Sequence, residues 1–232
     1  MDVYECITTR RTVKKFKDVP IPWDNIIKIL EAGKLAPSSG NIQSWKFIVI
    51  QDKQAKIEIG EYCGGQHWVA GAHTLIAIVA DIDKARRFYG VRGERLYAIQ
   101  NCAAAAQNML LTAHAIGLGA AWVGYIEEEK IASALTIPKE YRPQCIIALG
   151  YPAESPPTPP KYTLENVMYF RQFGGQGNRI KDIPQYAGEY AYKIKGAIDF
   201  GKDLIGKVNK KLLGDDEEGH KHHDKHDHSH KH

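Results

Sequence analysis

No Cys-x-x-Cys pair occurs in these 232 residues; Cys6, Cys63, Cys102 and Cys145 are scattered along the chain. That spacing argues against a disulfide framework and against a Cys-rich zinc site, and it fits a reducing cytoplasm. No uninterrupted apolar run reaches the length of a membrane span, and the amino-terminal MDVYECITTRR lacks the apolar core of a secretory leader. The expectation is a soluble, cytoplasmic protein. Charge of one sign is not in excess either: a net +4 does not imply nucleic-acid binding, and it leaves small anionic ligands compatible. What is present is 44% hydrophobic and 25% charged residues, the make-up of an ordinary globular domain with room for an appended tail.

The chemistry is organised around Ala36–Ile50, APSSGNIQSWKFIVI. Upstream, Ile26, Ile27, Leu30 and Ala32 form one face of a helix predicted over 22–35, which Pro37 ends. Downstream, Phe47–Ile50 is short and β-branched and reads as a strand covered on both faces. The loop between them offers Ser38, Ser39, Asn41, Gln43 and Ser44 around Gly40. Hydroxyls, two amides and a flexible backbone suit a planar, hydrogen-bonding ligand; the turn chemistry of a plain helix-to-strand connection accounts for the same residues.

Asp2 is placed to cap a first helix with Val3, Cys6 and Ile7 on one face. It leads into Arg10, Arg11, Thr12, Val13, Lys14 and Lys15. In an extended segment Arg10 and Lys14 share a side, as a phosphate grip requires, although a solvated charge run has the same composition. Lys53–Gly60 reads as a surface helix closed by Gly60, Tyr62–Gly71 as a glycine-rich loop carrying His67, and Thr74–Ala80 as a strand. Neither His67 nor His73 has a second ligand at metal-binding spacing. The polar stretch 81–95 reads as a mobile cover over a pocket or as a surface excursion. Leu96–Ile116 is apolar on nearly every side, the pattern of a central buried helix, and its alanines permit close packing against the same helix of a second subunit. Gly117 supplies its C-terminal stop, and Ala120–Tyr125 reads as a strand. Gly117-Leu118-Gly119 is not a dinucleotide fingerprint, because it follows a helix, precedes a strand and meets Trp122 where the third glycine belongs. Gly124, inside the predicted strand, marks a bulge or the close approach of a ligand. A helix over 127–135, a strand over 145–149 and a stiff connector SPPTPP at 155–160 complete an α/β-type domain whose strand directions stay open.

Taken together, Arg10-Arg11-Thr12-Val13-Lys14, the PSSGNIQSW loop, the Ala-rich helix ending in GLG and Trp122-Val123-Gly124 resemble the FMN-dependent nitroreductase family over roughly residues 1–173. The resemblance implies an α+β fold, a three-layer α/β/α arrangement with a central, mostly antiparallel sheet, and an intertwined homodimer with two FMN sites at its interface. It assigns Arg10, Thr12 and Lys14 to the FMN phosphate and ribityl chain, and Lys161 to the phosphate. Pro37, Ser38, Ser39 and Asn41 would line the isoalloxazine from the partner subunit, and the Gly124 backbone N–H would face flavin N5. Arg11, Gln43, Trp122 and Val123 complete the expected cofactor-binding set, with no acid or base side chain. The implied activity takes hydride from NADH or NADPH and reduces a small acceptor, a nitroaromatic, quinone or related molecule, in a ping-pong cycle. Thr12 stands where the family often has Ser, Ser44 where it often has Pro, and Asn101 near the place where many relatives carry an acidic residue.

The flavin-binding domain is expected over 1–176. Residues 177–213 repeat apolar positions at helical spacing between lysines, a basic amphipathic helix read as an arm packed on the dimer in preference to a peripheral membrane contact. Residues 214–232 hold His220, His222, His223, His226, His228, His230 and His232, a disordered tract able to bind Ni²⁺, Zn²⁺ or Cu²⁺ through imidazoles. The alternative function is a metal-handling or membrane-attached protein that uses the flavin fold as a scaffold.

Overall fold

The computed structural model describes residues 1–169 and 172–174. The chain divides into Met1–Pro159 and a second unit from Pro160 onward. The expected basic helix at 177–213 and the histidine-rich end at 214–232 lie outside the described residues. In the second unit a one-turn helix, Leu164–Val167, is followed by the paired rings of Tyr169 and Phe173, 4.7 Å between centroids.

The first unit is built on five strands: β1 (Phe16–Lys17), β2 (Trp45–Ile50), β3 (Thr74–Asp81), β4 (Gly119–Val123) and β5 (Tyr141–Pro152). Every pairing between them is antiparallel. Twelve-residue β5 organises the sheet: β3 runs along one of its edges and leads on to β2, while β4 and β1 follow one another along the other edge. Pro143 sits where the β3–β5 register shifts, a bulge that tolerates a residue without an N–H.

All eight residues of β3 are buried, and their alternation explains the layers. Ile76, Ile78 and Ala80 face α2 (Trp23–Lys34) and α5 (Ala98–Ala115); Leu75, Ala77 and Val79 face Ile59 of α3 (Lys53–Tyr62) and Ile131 of α6 (Glu128–Ala134). The result is the α/β/α sandwich that the resemblance implies. α5 carries no Asp, Glu, Lys or Arg over eighteen residues, and Ala105, Ala106, Met109 and Ala113 are fully buried. It ends as expected, with Gly117 at φ +82° and the Leu118 N–H donating to Ala113 O at 2.8 Å.

Several local expectations change. α1 (Val3–Thr9) is capped by Asp2, which accepts from the Glu5 N–H at 2.8 Å, but only Cys6 of its apolar residues is buried while Val3 and Ile7 are exposed. The strand β2 is an edge strand with half-buried residues rather than one covered on both faces. Gly60 does not close α3, which runs on to Tyr62; the glycine is buried inside it. The stretch 81–95, read as a mobile cover or a surface excursion, is helical: α4 (Ile82–Arg92) starts on the Asp81 cap, breaks at Gly90 (φ +59°), and passes through a π-turn, Gly93–Tyr97, into α5. A side chain at Gly93 would run into the Ala85 carbonyl, which fixes this junction. The strand β4 ends at Val123, one residue before Gly124. Among the described residues no helix is long and apolar enough to cross a membrane.

Two stability outcomes follow from this packing. Replacing the fully buried Ile147 of β5 with Ala opens a cavity between the layers and costs about 2–5 kcal/mol, measurable by urea denaturation. His114, near the end of α5, exchanges a 2.8 Å hydrogen bond with Thr9. Burial, and then Arg10 and Arg11, hold its pKa below the ordinary 6.5. The native state thus binds fewer protons than the unfolded chain between the lowered value and about 6.5, so stability is full above that range and falls as pH drops through it. His114→Gln keeps a partner for Thr9 and should flatten this part of the acid slope in melts between pH 7.5 and 5; an unchanged slope contradicts the assignment. His73, lowered mainly by burial and then by Lys56, keeps its own share of the same sign.

Candidate functional site

The segment after α1 is extended and lies against the outer edge of β4: Thr12 bridges Ala120 in parallel, and the Val13 N–H donates to Ala120 O at 3.1 Å. Its alternation separates the side chains. Val13 is buried, whereas Thr12 and Lys14 are exposed on the opposite side with Arg10 in the same register. Glu154 secures the segment, its Oε1 accepting from the Lys14 and Lys15 backbone N–H groups at 2.7 and 3.1 Å. Lys14 Nζ stands 5.3 Å above the ring of Trp68. Arg11 behaves differently from Arg10: its guanidinium donates to Thr8 O at 2.8 Å, to Arg10 O at 2.9 Å and to the Thr158 hydroxyl. On that side a cleft of about 320 Å³ is lined by Arg10, Arg11, His114, Leu118 and Glu154.

At the far end of β4, Val123 is buried while Trp122 is 40% exposed, and Gly124 is exposed just beyond the strand. A Cβ on Gly124 would come within 3.2 Å of the Trp122 indole nitrogen, so space is what glycine supplies here. The Tyr62–Gly71 loop joins this region. The Glu127 N–H donates to Tyr62 O at 2.7 Å, and Gly64, at φ +74°, accepts the Tyr125 ring where any side chain would collide.

The Ser38–Ser44 loop is a second locus. Gly40, Asn41 and Gln43 take φ of +53°, +56° and +48°. Left-handed backbone at a non-glycine residue costs about 1–3 kcal/mol and is sustained by its surroundings, most often at functional sites. Asn101, 3% exposed on α5, supplies much of that support: its Oδ1 accepts from the Ser39 N–H at 3.0 Å and the Ser39 hydroxyl at 3.2 Å, and its Nδ2 donates to Ser44 Oγ at 2.9 Å. Ser38 Oγ accepts from the Gln43 N–H at 3.0 Å. From above, the Tyr89 hydroxyl of α4 rests on Gly40, where a side chain would strike it. Pro37, Asn41 and Gln43 are left exposed.

The predicted residues therefore form two groups in one protomer. Arg10, Thr12, Lys14, Trp122, Val123 and Gly124 lie on or beside β4, and Pro37–Gln43 lie before β2, three strand spacings or about 14 Å away across the sheet. Lys161 is exposed in the second unit. His67 is 3.1 Å from Glu61, and His73 Nδ1 meets Thr74 Oγ1 at 2.9 Å, so neither histidine stands in a ligand cluster. Among the described residues no group of three or more His, Cys, Asp or Glu could hold a metal ion; the seven tail histidines lie outside them. Burial raises the Cys63 and Cys102 thiols to about 11 and about 12, and raises Cys145 as well, so none of the three is a ready thiolate. Sequence reasoning missed Trp68, Glu154 and Tyr89, whose parts rest on contacts between distant segments and leave no local pattern. Asn101 was visible only as a departure.

The sequence model described as the Nitroreductase family matches residues 7–68 and 62–151. A Methanothermobacter thermautotrophicus protein, provisionally named an NADH dehydrogenase/NAD(P)H nitroreductase, is 37% identical over 164 residues, 68% of this chain and 81% of the relative. The FMN reductase [NAD(P)H] of Bacillus subtilis is 25% identical over 198 residues, 80% of each chain. The solved structure of an FMN-dependent nitroreductase from Clostridium difficile superposes with a TM-score of 0.64 at 29% identity, covering 74% of this chain and 100% of that one. With the same antiparallel sandwich and an aligned stretch that spans both loci, this chain belongs to the nitroreductase family.

Proposed function

We propose that the protein is an FMN-dependent oxidoreductase that takes reducing equivalents from NADH or NADPH and delivers them to a small acceptor, a nitroaromatic, quinone or related molecule, by a ping-pong cycle. The observation that carries this reading is the outward register of Arg10, Thr12 and Lys14 along β4, leading to an exposed Trp122 and Gly124. A row of cations and a hydroxyl suits a phosphate and a polyol chain, and an open strand end beside an indole suits a flat ring, so the donor set fits FMN. The names of the relatives support the same cofactor and reductants.

Bound FMN would supply reversible hydride acceptance at N5. The chain's own part is to bind and orient. Arg10, Thr12 and Lys14 would hold the phosphate and ribityl chain, with Arg11 bracing the segment from behind. Glu154 fixes the backbone from which these side chains extend. The Gly124 N–H would donate to the polar edge of the ring, a fixed dipole that needs no titrating side chain, with Trp122 and Val123 beside it. Within one protomer Pro37, Ser38, Ser39, Asn41 and Gln43 lie before β2, three strand positions from β4. A second copy would bring its loop to this β4, making the site a property of a homodimer. In this reading residues 1–176 form the flavin-binding part, with 177–213 and 214–232 appended.

The test is the visible spectrum of the protein loaded with FMN, followed without oxygen as NADH and then NADPH is added. Bleaching of the flavin band is the expected result with at least one of them; a bound flavin that neither reductant bleaches contradicts the proposed activity. Arg10→Ala should weaken FMN binding about tenfold or more through loss of a charge-assisted phosphate contact, read by fluorescence titration of the apoprotein. Unchanged affinity would remove Arg10 from the phosphate site.

A further inference from the structure

The Pro37–Gln43 loop holds a strained backbone. Three of its residues occupy left-handed backbone, and two of those three are not glycine. Its internal hydrogen bonds, from the Gln43 N–H to Ser38 Oγ, from the Asn41 N–H to Ser38 O, from the Ile42 N–H to Ser39 O and from the Gln43 side-chain amide to Asn41, tie the loop to itself but not to the body of the protein. Ile42 is buried in the core beneath the arch, and among the described residues the hydrogen bonds that tie the loop to the body come from Asn101. One amide, buried under the loop, engages Ser39 twice on the entering side and Ser44 on the leaving side, so it sets where both ends of the arch sit. Ser44 is itself fixed, fully buried and accepting from the Asp81 N–H through its carbonyl at 3.0 Å. Asn101 sits on the buried face of α5 and so ties the position of the loop to that helix.

We propose that Asn101 is a positioning residue for ligand binding: its buried amide clamps Ser39 to Ser44 and holds the intervening Gly40–Gln43 arch in the strained shape in which it meets the flavin. This rests on the flavin reading above. Asn101 is buried beneath the loop and acts through Ser39 and Ser44. Both hydrogen-bonding ends of the amide are used, Oδ1 as a double acceptor and Nδ2 as a donor. A carboxylate could replace it by accepting from the Ser39 N–H and from both serine hydroxyls, whereas an aliphatic side chain leaves Ser39 and Ser44 without a buried partner.

The experiment compares four full-length proteins, wild type, Asn101→Ala, Asn101→Asp and Asn108→Ala, by FMN titration of the apoproteins, melting temperature, and amide hydrogen exchange of the peptide containing 38–44. Asn108 is the internal control. It lies two turns along the same helix and donates to Ala32 O at 3.0 Å, so its removal costs a helix–helix hydrogen bond without touching the loop. Asn101→Ala should weaken FMN binding about tenfold and speed exchange in 38–44, Asn101→Asp should stay within about threefold of wild type, and Asn108→Ala should lower the melting temperature with unchanged FMN affinity. The proposal is overturned if Asn101→Ala binds FMN as wild type does, if Asn101→Asp is as weak as Asn101→Ala, or if Asn108→Ala loses affinity to the same extent. A wild-type apoprotein that takes up no FMN would refute the flavin reading; the exchange comparison then decides separately whether Asn101 holds the arch.

Discussion

The structure depends on the burial of one largely apolar helix against one sheet. α5 places Ala105, Ala106, Met109 and Ala113 on the same side as Ile76, Ile78 and Ile147, all removed from water. Each large apolar side chain buried in this way contributes about 1.5–3 kcal/mol. The small alanines let the helix lie close to the strands and to α2. Because the helix is fixed so firmly, its two ends can hold segments that would not hold themselves. Asn101 near the start supports the 38–44 loop, and His114 near the end meets Thr9 beside the cationic segment. Thirteen residue steps, about 20 Å of helix, lie between these two anchors.

The layered core was legible in the sequence, and the reason is physical. Strands buried on both faces show as continuous apolar runs, which TLIAIVA and CIIALG are, and a long apolar helix has to bury a face, as α5 does with Ala105, Ala106, Met109 and Ala113. Less legible were features set by partners distant in the chain. The two-residue β1 exists because Phe16 and Lys17 meet Pro152 and Tyr151, and nothing local announces it. The helical form of 81–95 was not legible: it rests on the Asp81 cap and on ion pairs between Asp83 and Arg87 and between Arg86 and Glu94.

The candidate site shows the same division. The alternation of Arg10, Thr12 and Lys14 about Val13 could be read directly, because an extended segment has a period of two. The Ser-Ser-Gly-Asn loop could be located but not shaped. Its left-handed residues follow from a buried amide sixty residues away, and hydrogen bonds of that kind carry no periodic signature. Glu154 is similar: a carboxylate that accepts two backbone N–H groups from the opposite end of the domain has the same sequence appearance as any surface glutamate.

The central claim is that the cationic edge of β4 and the arch before β2 serve one ligand from two copies of the chain. It is tested most directly by complementation. A protein defective in the edge, Arg10→Ala, and one defective in the arch, Ser39→Ala with Asn41→Ala, are unfolded together and refolded as a mixture, then titrated with FMN. If the loci act across subunits, mixed dimers restore intact sites and about one site in four regains wild-type affinity. A mixture that binds no more FMN than the two defective proteins measured separately would show that both loci must come from the same chain, and would contradict the account.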